Sequence, residues 1–256
     1  MMSNHQAYID WILLWSLLRL QNLEGSIKIV LKDSLKNIPI IGWGMQYFDF
    51  IFLKRNWNKD KETLESHMAK INKSKYPTTL LLFPEGTTFT QNTLTKSLAY
   101  AAKTLPELHH PIHVILPRAT GIRCCLQSLS SQKTKYLYDV TVAYSGVSSD
   151  EFAEDIYTMK NVFYNEGYPR KVHINIRRFL ISEIPLEDES VFSTWLIDRF
   201  MEKDSMLDYY YKNGNFHAQD KIPYLTDPLT KVQAILGMRS LFLAFVSICF
   251  FIKLLY

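Results

Sequence analysis

Short apolar runs alternate with amphipathic stretches along most of this 256-residue chain, and this alternation constrains the fold more than any other feature. The apolar runs have the length and the β-branched or aliphatic composition of strands, whereas the stretches between them have helical spacing. Strands and helices in alternation predict an α/β fold with a largely parallel central sheet covered by helices. The predicted strands are 27–31, 49–53, 78–83, 113–117, 138–144 and 171–179, and the predicted helices are 38–47, 60–73, 94–104, 119–129, 151–164 and 189–211.

Two strongly apolar stretches flank this pattern. Residues Tyr8 to Leu20 are apolar almost all round, so a helix formed there has to be buried on most sides. The uncharged run from Ser240 to Ile252 measures about 20 Å as a helix, against a hydrocarbon core of about 30 Å. We expect this run to form a C-terminal hydrophobic helix that holds the protein to a membrane. Proline and aspartate residues mark a boundary before it, between a main domain, 1–220, and a boundary and membrane segment, 221–256.

The charge and the cysteines narrow the classes of partner. The formal net charge is +4, from 29 Lys and Arg residues against 25 Asp and Glu residues. This excess is too small for a nucleic-acid-binding surface by itself, but it suits a protein beside anionic lipid headgroups. Cys124, Cys125 and Cys249 form no CxxC motif and no Cys/His cluster with metal-ligand spacing. The composition therefore favours a membrane surface over nucleic acid and predicts no metal site.

The sharpest local pattern is NHQAYID, residues 4–10. On a continuous helix, His5 and Asp10 would point about 140° away from each other. They meet only if His5 lies in the turn before a helix and Asp10 lies in the first turns of that helix. Asp10 would then accept the Nδ1 proton and leave Nε2 to take a proton from an attacking hydroxyl. The alternative is a helix cap beside a solvated histidine.

A second pattern is LLLFPEGTTFT, residues 80–90, in which a buried strand ends in a turn. Ligand sites of α/β sheets lie beyond the carboxyl ends of strands, where this turn falls. Gly86 permits close backbone approach, and the amides and hydroxyls of Thr87 and Thr88 suit phosphate oxygens. Glu85 would repel a phosphate, so we expect it to orient a basic residue or a glycerol hydroxyl. A plain strand-ending turn explains the proline and the glycine equally well.

In this order, the two patterns resemble conserved blocks of the glycerolipid acyltransferase family, NHxxxxD and FPEGT. Between them, IPIIGWGMQYFDFIFLKR resembles a block with Gly42 near its start and Arg55 at its end. After them, VILPRATGI resembles a fourth block, which contains Arg118. The later segments LYDVTVAY, KVHINIRRF and WLIDRFMEKDSMLDYYY resemble the branch of lysocardiolipin, lysophosphatidylinositol and lysophosphatidate acyltransferases.

The resemblance implies a role for each matching residue. His5 is the general base, and Asp10 orients it. Arg55 binds the lysolipid phosphate, while Arg118 lies on the acyl-donor side. The substrate-binding residues implied in this way are Arg55, Glu85, Gly86, Thr87 and Arg118. The implied substrates are acyl-CoA and a lysophospholipid, and no metal or prosthetic group is expected.

Two features depart from the family pattern. Many relatives carry an arginine directly after FPEGT, whereas this chain has Thr88. The phosphate then loses a cation, which leaves more of its binding to Arg55. Relatives also usually carry a membrane segment ahead of the NHxxxxD block, whereas Asn4 and His5 stand almost at the first residue here.

The sequence therefore predicts an enzyme that transfers a fatty acyl group from acyl-CoA to the free hydroxyl of a lysophospholipid. We expect it at a membrane, that of the endoplasmic reticulum, with its site facing the membrane surface. The alternative is a truncated, inert lipid-binding paralogue in which the turn around His5 is unsupported. A hydrolase is disfavoured because the sequence contains no GxSxG nucleophile elbow.

Overall fold

The computed structural model describes residues 1–130 and 134–216, in which strands and helices alternate as predicted. The strands are β1 (Met2–Ser3), β2 (Ile27–Lys32), β3 (Ile51–Leu53), β4 (Thr79–Leu81), β5 (Tyr136–Tyr144) and β6 (Val172–Leu180). The helices are α1 (Asp10–Arg19), α2 (Ile41–Tyr47), α3 (Trp57–Lys73), α4 (Gln91–Thr104), α5 (Ala119–Ser130), α6 (Ala153–Ile156), α7 (Met159–Tyr164) and α8 (Glu189–Asn213).

Within the described residues, the strands form two three-stranded sheets that meet at β1. One sheet has the order β3-β2-β4, and the other has the order β1-β5-β6. A parallel bridge between Met2 and Leu82, just after β4, joins them. Among the described strands, only the β5–β6 pair is antiparallel, and the other pairs are parallel. The predicted α/β fold with parallel strands and helices is confirmed for this part of the chain.

The side chains of the strands alternate between two apolar cores, one on each face of the sheet. Along β4 and the residue after it, Leu80 and Leu82 belong to one core, while Leu81 belongs to the other. This period of two is the geometry of a strand buried on both sides. The first core also contains residues of α3, α5 and α8. The second core contains Leu14 and Leu18 of α1, so the apolar stretch that follows Tyr8 is largely covered by the sheet.

A buried ion pair links helix α8 to strand β5. The ammonium of Lys203 and the carboxylate of Asp139 are paired, and both side chains are fully buried. Lys203 Nζ also donates to the carbonyl of Val140 at 2.6 Å, and Arg177 Nη2 lies 2.6 Å from Asp139 Oδ2. These contacts satisfy charges that would otherwise be costly inside a protein.

The prediction of a strand at 113–117 is wrong. His113, Val114, Ile115 and Leu116 are buried, as the apolar pattern requires, but their backbone forms no ladder. The backbone amides of Ile112 and His113 donate to Asp204 Oδ1 at 2.9 and 2.6 Å, and the amide of Leu116 donates to Ser97 Oγ at 3.1 Å. Side-chain acceptors thus replace the strand partner that a sheet would supply.

The predicted helix at 151–164 is two short helices, α6 and α7, with a break between them. Thr158 is extended there, and its side chain accepts the amide of Asn161 at 3.0 Å as the cap of α7. Tyr157 donates its hydroxyl to the carbonyl of Ser145 at 2.5 Å. A threonine cap and an anchored tyrosine therefore interrupt a pattern that reads as one helix.

The predicted C-terminal hydrophobic helix and the segment 221–256 lie outside the described residues. Across residues 1–130 and 134–216, no helix is both long enough and apolar enough to cross a membrane.

Candidate active site

Strand β1 carries the chain into the turn that holds His5, and the buried side chain of Asn4 fixes this turn to β5. Asn4 Nδ2 donates to the carbonyl of Val142 at 3.0 Å, and the amide of Val142 donates to Asn4 Oδ1 at 2.8 Å. Met2 and Ser3 pair with Asp139 and Val140 just before this point. The asparagine side chain therefore continues the strand pairing by one step and frees the next residue to turn away.

The His5 imidazole contacts the Asp10 carboxylate, as the sequence predicts for a histidine in the turn before a helix. Nδ1 lies 2.8 Å from Asp10 Oδ2, and Asp10 is the first residue of α1. The same oxygen accepts the amides of Gln6 at 2.7 Å and Ala7 at 3.1 Å. A carboxylate can only accept, so Nδ1 carries the proton, and Nε2 of the neutral ring has its lone pair free.

The turn after β4 holds the backbone of His5 from both sides. Glu85 Oε1 accepts the amide of His5 at 3.2 Å, and the amide of Phe89 donates to the carbonyl of His5 at 2.7 Å. Glu85 is only 1% exposed, and burial raises the pKa of its carboxyl well above the usual value. The Phe83 ring stacks on the imidazole, with ring centroids 4.2 Å apart. Glu85 is therefore positioned to hold the histidine in place.

Two exposed arginines converge at Gly86. Arg55 Nη2 donates to the carbonyl of Gly86 at 2.6 Å. Gly86 has φ +71°, and a Cβ built there would lie 3.6 Å from Cδ and Nε of Arg118. The left-handed backbone favours glycine at this position, whereas a Cβ would make only an ordinary contact with the Arg118 side chain. Two guanidinium groups beside an open backbone form a site suited to an anion such as phosphate.

The two threonines that follow Gly86 differ in how deeply their side chains are buried. Thr87, the residue after Gly86, is half-buried, whereas Thr88 is buried. Thr88 Oγ1 lies 3.4 Å from His5 Nε2. The hydroxyl of Thr88 thus lies beside the imidazole nitrogen that does not contact Asp10. Among the described residues, no group of three or more His, Cys, Asp or Glu side chains could hold a metal ion.

Comparison with known proteins places this histidine–aspartate site in a family. The family model described as acyltransferase matches residues 1–145, and a second, described as acyltransferase C-terminus, matches residues 165–236. The chain belongs to the acyltransferase family. The resemblance predicted from the NHQAYID and FPEGT blocks is therefore confirmed.

Curated relatives of this acyltransferase act on lysolipids, according to their names. A 2-acyl-1-lysophosphatidylinositol acyltransferase of Saccharomyces cerevisiae is 36% identical over 99% of this chain and 71% of that protein. A probable 1-acyl-sn-glycerol-3-phosphate acyltransferase of Arabidopsis thaliana is 34% identical over 84% of this chain and 54% of that protein. Lysocardiolipin acyltransferase 1 of Gallus gallus is 32% identical over 82% of this chain and 53% of that protein. No solved structure matches the acyltransferase chain.

The acyltransferase site contains more residues than sequence reasoning found. The structure brings His5 and Asp10 together, and it brings Arg55, Gly86 and Arg118 together beside Thr87. Glu85 lies behind the histidine, so its contribution to a substrate pocket stays a prediction. Sequence reasoning missed Asn4 as a structural residue, and it missed Tyr144, which donates its hydroxyl to Asp10 Oδ1. Asn4 could have been found from the sequence, because it directly precedes His5 within the NHQAYID pattern.

Proposed function

We propose that this acyltransferase moves a fatty acyl group from acyl-CoA to the free hydroxyl of a lysophospholipid. The observation that carries the proposal is the place of the His5 ring. Asp10 holds its Nδ1, and its Nε2 lies beside Thr88, two residues along the turn from Gly86, where Arg55 and Arg118 meet. A base beside an anion site is what an acceptor with a hydroxyl and a phosphate requires. The names of the curated relatives support a lysophospholipid as that acceptor.

In the proposed reaction, His5 Nε2 takes the proton of the acceptor hydroxyl as the oxygen attacks the thioester carbonyl. The C–S bond of the tetrahedral intermediate then breaks, and coenzyme A leaves as a thiol after taking the proton back from the imidazolium. Asp10 stabilises the imidazolium between these steps and keeps the ring in one tautomer. The substrate oxygen takes the place of an enzyme nucleophile, so no acyl-enzyme is needed.

The two arginines divide the recognition of phosphate groups in this proposal. Arg55, which donates to the carbonyl of Gly86, can turn a second N–H towards the phosphate of the lysolipid. The neighbouring guanidinium of Arg118 adds positive charge at the same turn. Coenzyme A also carries phosphates, and on the acyl-donor side Arg118 would contact these. Thr88 is uncharged where many relatives carry an arginine. Selection of the headgroup phosphate is therefore left to Arg55 and Arg118.

The acceptor of the proposed reaction resides in a bilayer, so we propose that the protein works at a membrane surface, that of the endoplasmic reticulum. Helix α2 and the residue after it expose large aromatic side chains: Trp43 is 61%, Tyr47 87% and Phe48 46% exposed. Aromatic rings of this kind are enriched where protein meets the membrane–water interface. If these aromatic side chains contact the membrane, the enzyme would bind its acceptor directly from the bilayer.

The test is acyl transfer by the full chain from radiolabelled acyl-CoA to a panel of lysophospholipids in mixed micelles. The panel includes lysophosphatidic acid, lysophosphatidylinositol and lysocardiolipin, with the free fatty acid as the control donor. We expect phospholipid product from acyl-CoA only, and the preferred headgroup identifies the acceptor. Binding of lysolipid without product from any acceptor would contradict the proposal and support an inert lipid-binding protein.

A further inference from the structure

The carboxylate of Asp10 has a partner on each of its two oxygens. Oδ2 receives Nδ1 of His5 and the backbone amides of Gln6 and Ala7. Oδ1 receives the hydroxyl of Tyr144, the last residue of β5. Both Asp10 and Tyr144 are fully buried. The tyrosine therefore donates a hydrogen bond to Oδ1, the carboxylate oxygen that does not contact the imidazole.

The chemistry of the pair fixes the direction of this hydrogen bond. An ionised carboxylate only accepts, so the phenol has to be the donor. Burial, and then the charge of Asp10, raise the pKa of Tyr144 well above its usual value, so the phenol keeps its proton at neutral pH. A charge-assisted hydrogen bond of this kind is among the stronger ones in proteins.

The strand that carries Tyr144 also holds the turn that carries the base. Val142, two residues before the tyrosine, pairs with the side chain of Asn4. The Tyr144 ring packs edge-on against Tyr157, with ring centroids 5.6 Å apart, and Tyr157 is itself anchored to the carbonyl of Ser145. One strand therefore sets both the place of the turn and the place of the phenol.

We propose that Tyr144 is a positioning residue of the catalytic pair. Its hydroxyl holds the Asp10 carboxylate in the rotamer in which Oδ2 faces His5 Nδ1. The inference rests on the proposed function, since it assumes that His5 is the base. Tyr144 touches neither substrate, because it acts on the far side of Asp10.

Tyr144→Phe tests the inference, because it keeps the ring and removes the donor. Loss of one buried hydrogen bond to a charged group corresponds to about 10- to 100-fold in rate. We expect kcat to fall by about this factor, while the KM values for acyl-CoA and lysolipid stay unchanged. The matched control is Tyr138→Phe, which removes the hydroxyl of an exposed tyrosine on the same strand without touching Asp10 and leaves kcat unchanged. A normal kcat in Tyr144→Phe overturns the inference.

A double-mutant cycle separates positioning from general packing. On an Asp10→Ala background, which removes both oxygens, Tyr144→Phe should cost nothing further, because the phenol acts only through the carboxylate. If the full factor persists on that background, Tyr144 acts by another route and the inference is wrong. The cycle tests Tyr144 only if His5→Ala abolishes turnover in the otherwise wild-type enzyme. Turnover that survives His5→Ala would overturn the proposed function instead.

Chemical rescue gives a second measurement that does not depend on the Phe variant folding. Tyr144→Ala leaves a buried cavity of the shape of the lost ring, and a small aromatic molecule can fill such a cavity. We expect phenol to restore kcat and benzene to restore only thermal stability. Equal recovery of kcat with both molecules would show that the ring, not the hydroxyl, is what the site needs, and would overturn the inference.

Discussion

The side-chain amide of Asn4 pairs with both backbone polar groups of Val142, at 3.0 and 2.8 Å, and so acts as one further rung of the β1–β5 ladder. Because both partners are buried, neither backbone group can turn to water instead. The residue before the base is thus part of the sheet through its side chain rather than its backbone.

Replacement of Asn4 should therefore affect both stability and turnover. Asn4→Ala leaves the N–H and C=O groups of Val142 unpaired, which we expect to lower the free energy of unfolding by about 2–4 kcal/mol. Asn4→Asp should be worse, since it places a carboxylate oxygen against the carbonyl of Val142. Urea denaturation and kcat are measured together. Asn72→Ala, which removes a part-buried hydrogen bond to Ser128, is the control and should change stability only.

Removal of the base should abolish most of the activity without unfolding the protein. We expect His5→Ala to lower kcat by about 10²–10⁴-fold, the usual contribution of a positioned general base. Asp10→Asn should cost the same or less, by leaving the imidazole misoriented. His67→Ala serves as the control, because His67 bonds to the carbonyl of Thr63 within α3. Near-normal turnover in folded His5→Ala would exclude this mechanism.

Arg55 should affect the acceptor more than the donor. A charge-assisted hydrogen bond to phosphate is worth about 1.5–3 kcal/mol, so we expect Arg55→Ala to raise the KM for the lysolipid about 10- to 150-fold. Lysine is a poor replacement where two N–H groups are used at once. Initial rates are measured with each substrate varied in turn, with exposed Arg170→Ala as the control. A raised KM for acyl-CoA alone would move Arg55 to the donor side.

Glu154 should make the stability depend on pH near neutrality. Its side chain accepts the amide of Tyr8 at 2.6 Å, and burial raises its pKa to about 7 from 4.5. Between these two values the folded state keeps the proton and the unfolded state has lost it, so this carboxyl lowers stability as the pH rises through that window. Glu154→Gln removes the effect and keeps an acceptor oxygen. The stability of the variant relative to wild type should therefore increase from about pH 4.5 to 7.

The matched control for this pH series is Glu151→Gln, which should have the opposite sign. Glu151 Oε2 accepts the amide of Ser148 at 2.8 Å, and this contact lowers the pKa of the carboxyl. Its stabilisation is present above the unfolded pKa and disappears as the pH falls through the folded pKa. Urea midpoints across pH 3 to 8 give both curves. Parallel curves for the two variants would refute the assignment of the Glu154 pKa.

Lys203→Met should be strongly destabilising. It leaves the buried carboxylate of Asp139 with Arg177 as its remaining ion-pair partner, and removal of one member of a buried pair typically costs about 3–5 kcal/mol. Lys212→Met in the same helix is the matched control, since the Lys212–Asp208 pair is exposed at the surface. We expect little change there. Equal unfolding midpoints for both variants would show that Asp139 does not need its buried ammonium.

Local patterns predicted the parts of this protein that depend on local contacts. The spacing of His5 and Asp10 predicted how the two side chains could meet, because both residues belong to one turn and the helix that follows, and the family resemblance favoured that arrangement over a helix cap. Strands β2 to β6 were all predicted from short runs of strand length and composition. The turn at Gly86 was predicted from the proline and glycine that end such a run.

The rest depends on contacts between distant segments, which local patterns do not contain. Strand β1 has two residues and no periodicity to detect. Tyr144 is 134 positions from Asp10, and in the sequence it is one more aromatic residue of a buried strand. The segment 113–117 was misassigned because its acceptor, Asp204, comes from a helix 91 positions away.

The short strand β1 lies between β4 and β5, and both of these strands are far from it along the chain. His5 is held by Glu85, 80 positions away, while its neighbour Asn4 is held by Val142, 138 positions away. The base is therefore placed by two long loop closures, which form slowly compared with the helices. During refolding, helical content should return before turnover does, and the enzyme becomes active only when β4 and β5 have enclosed its first strand.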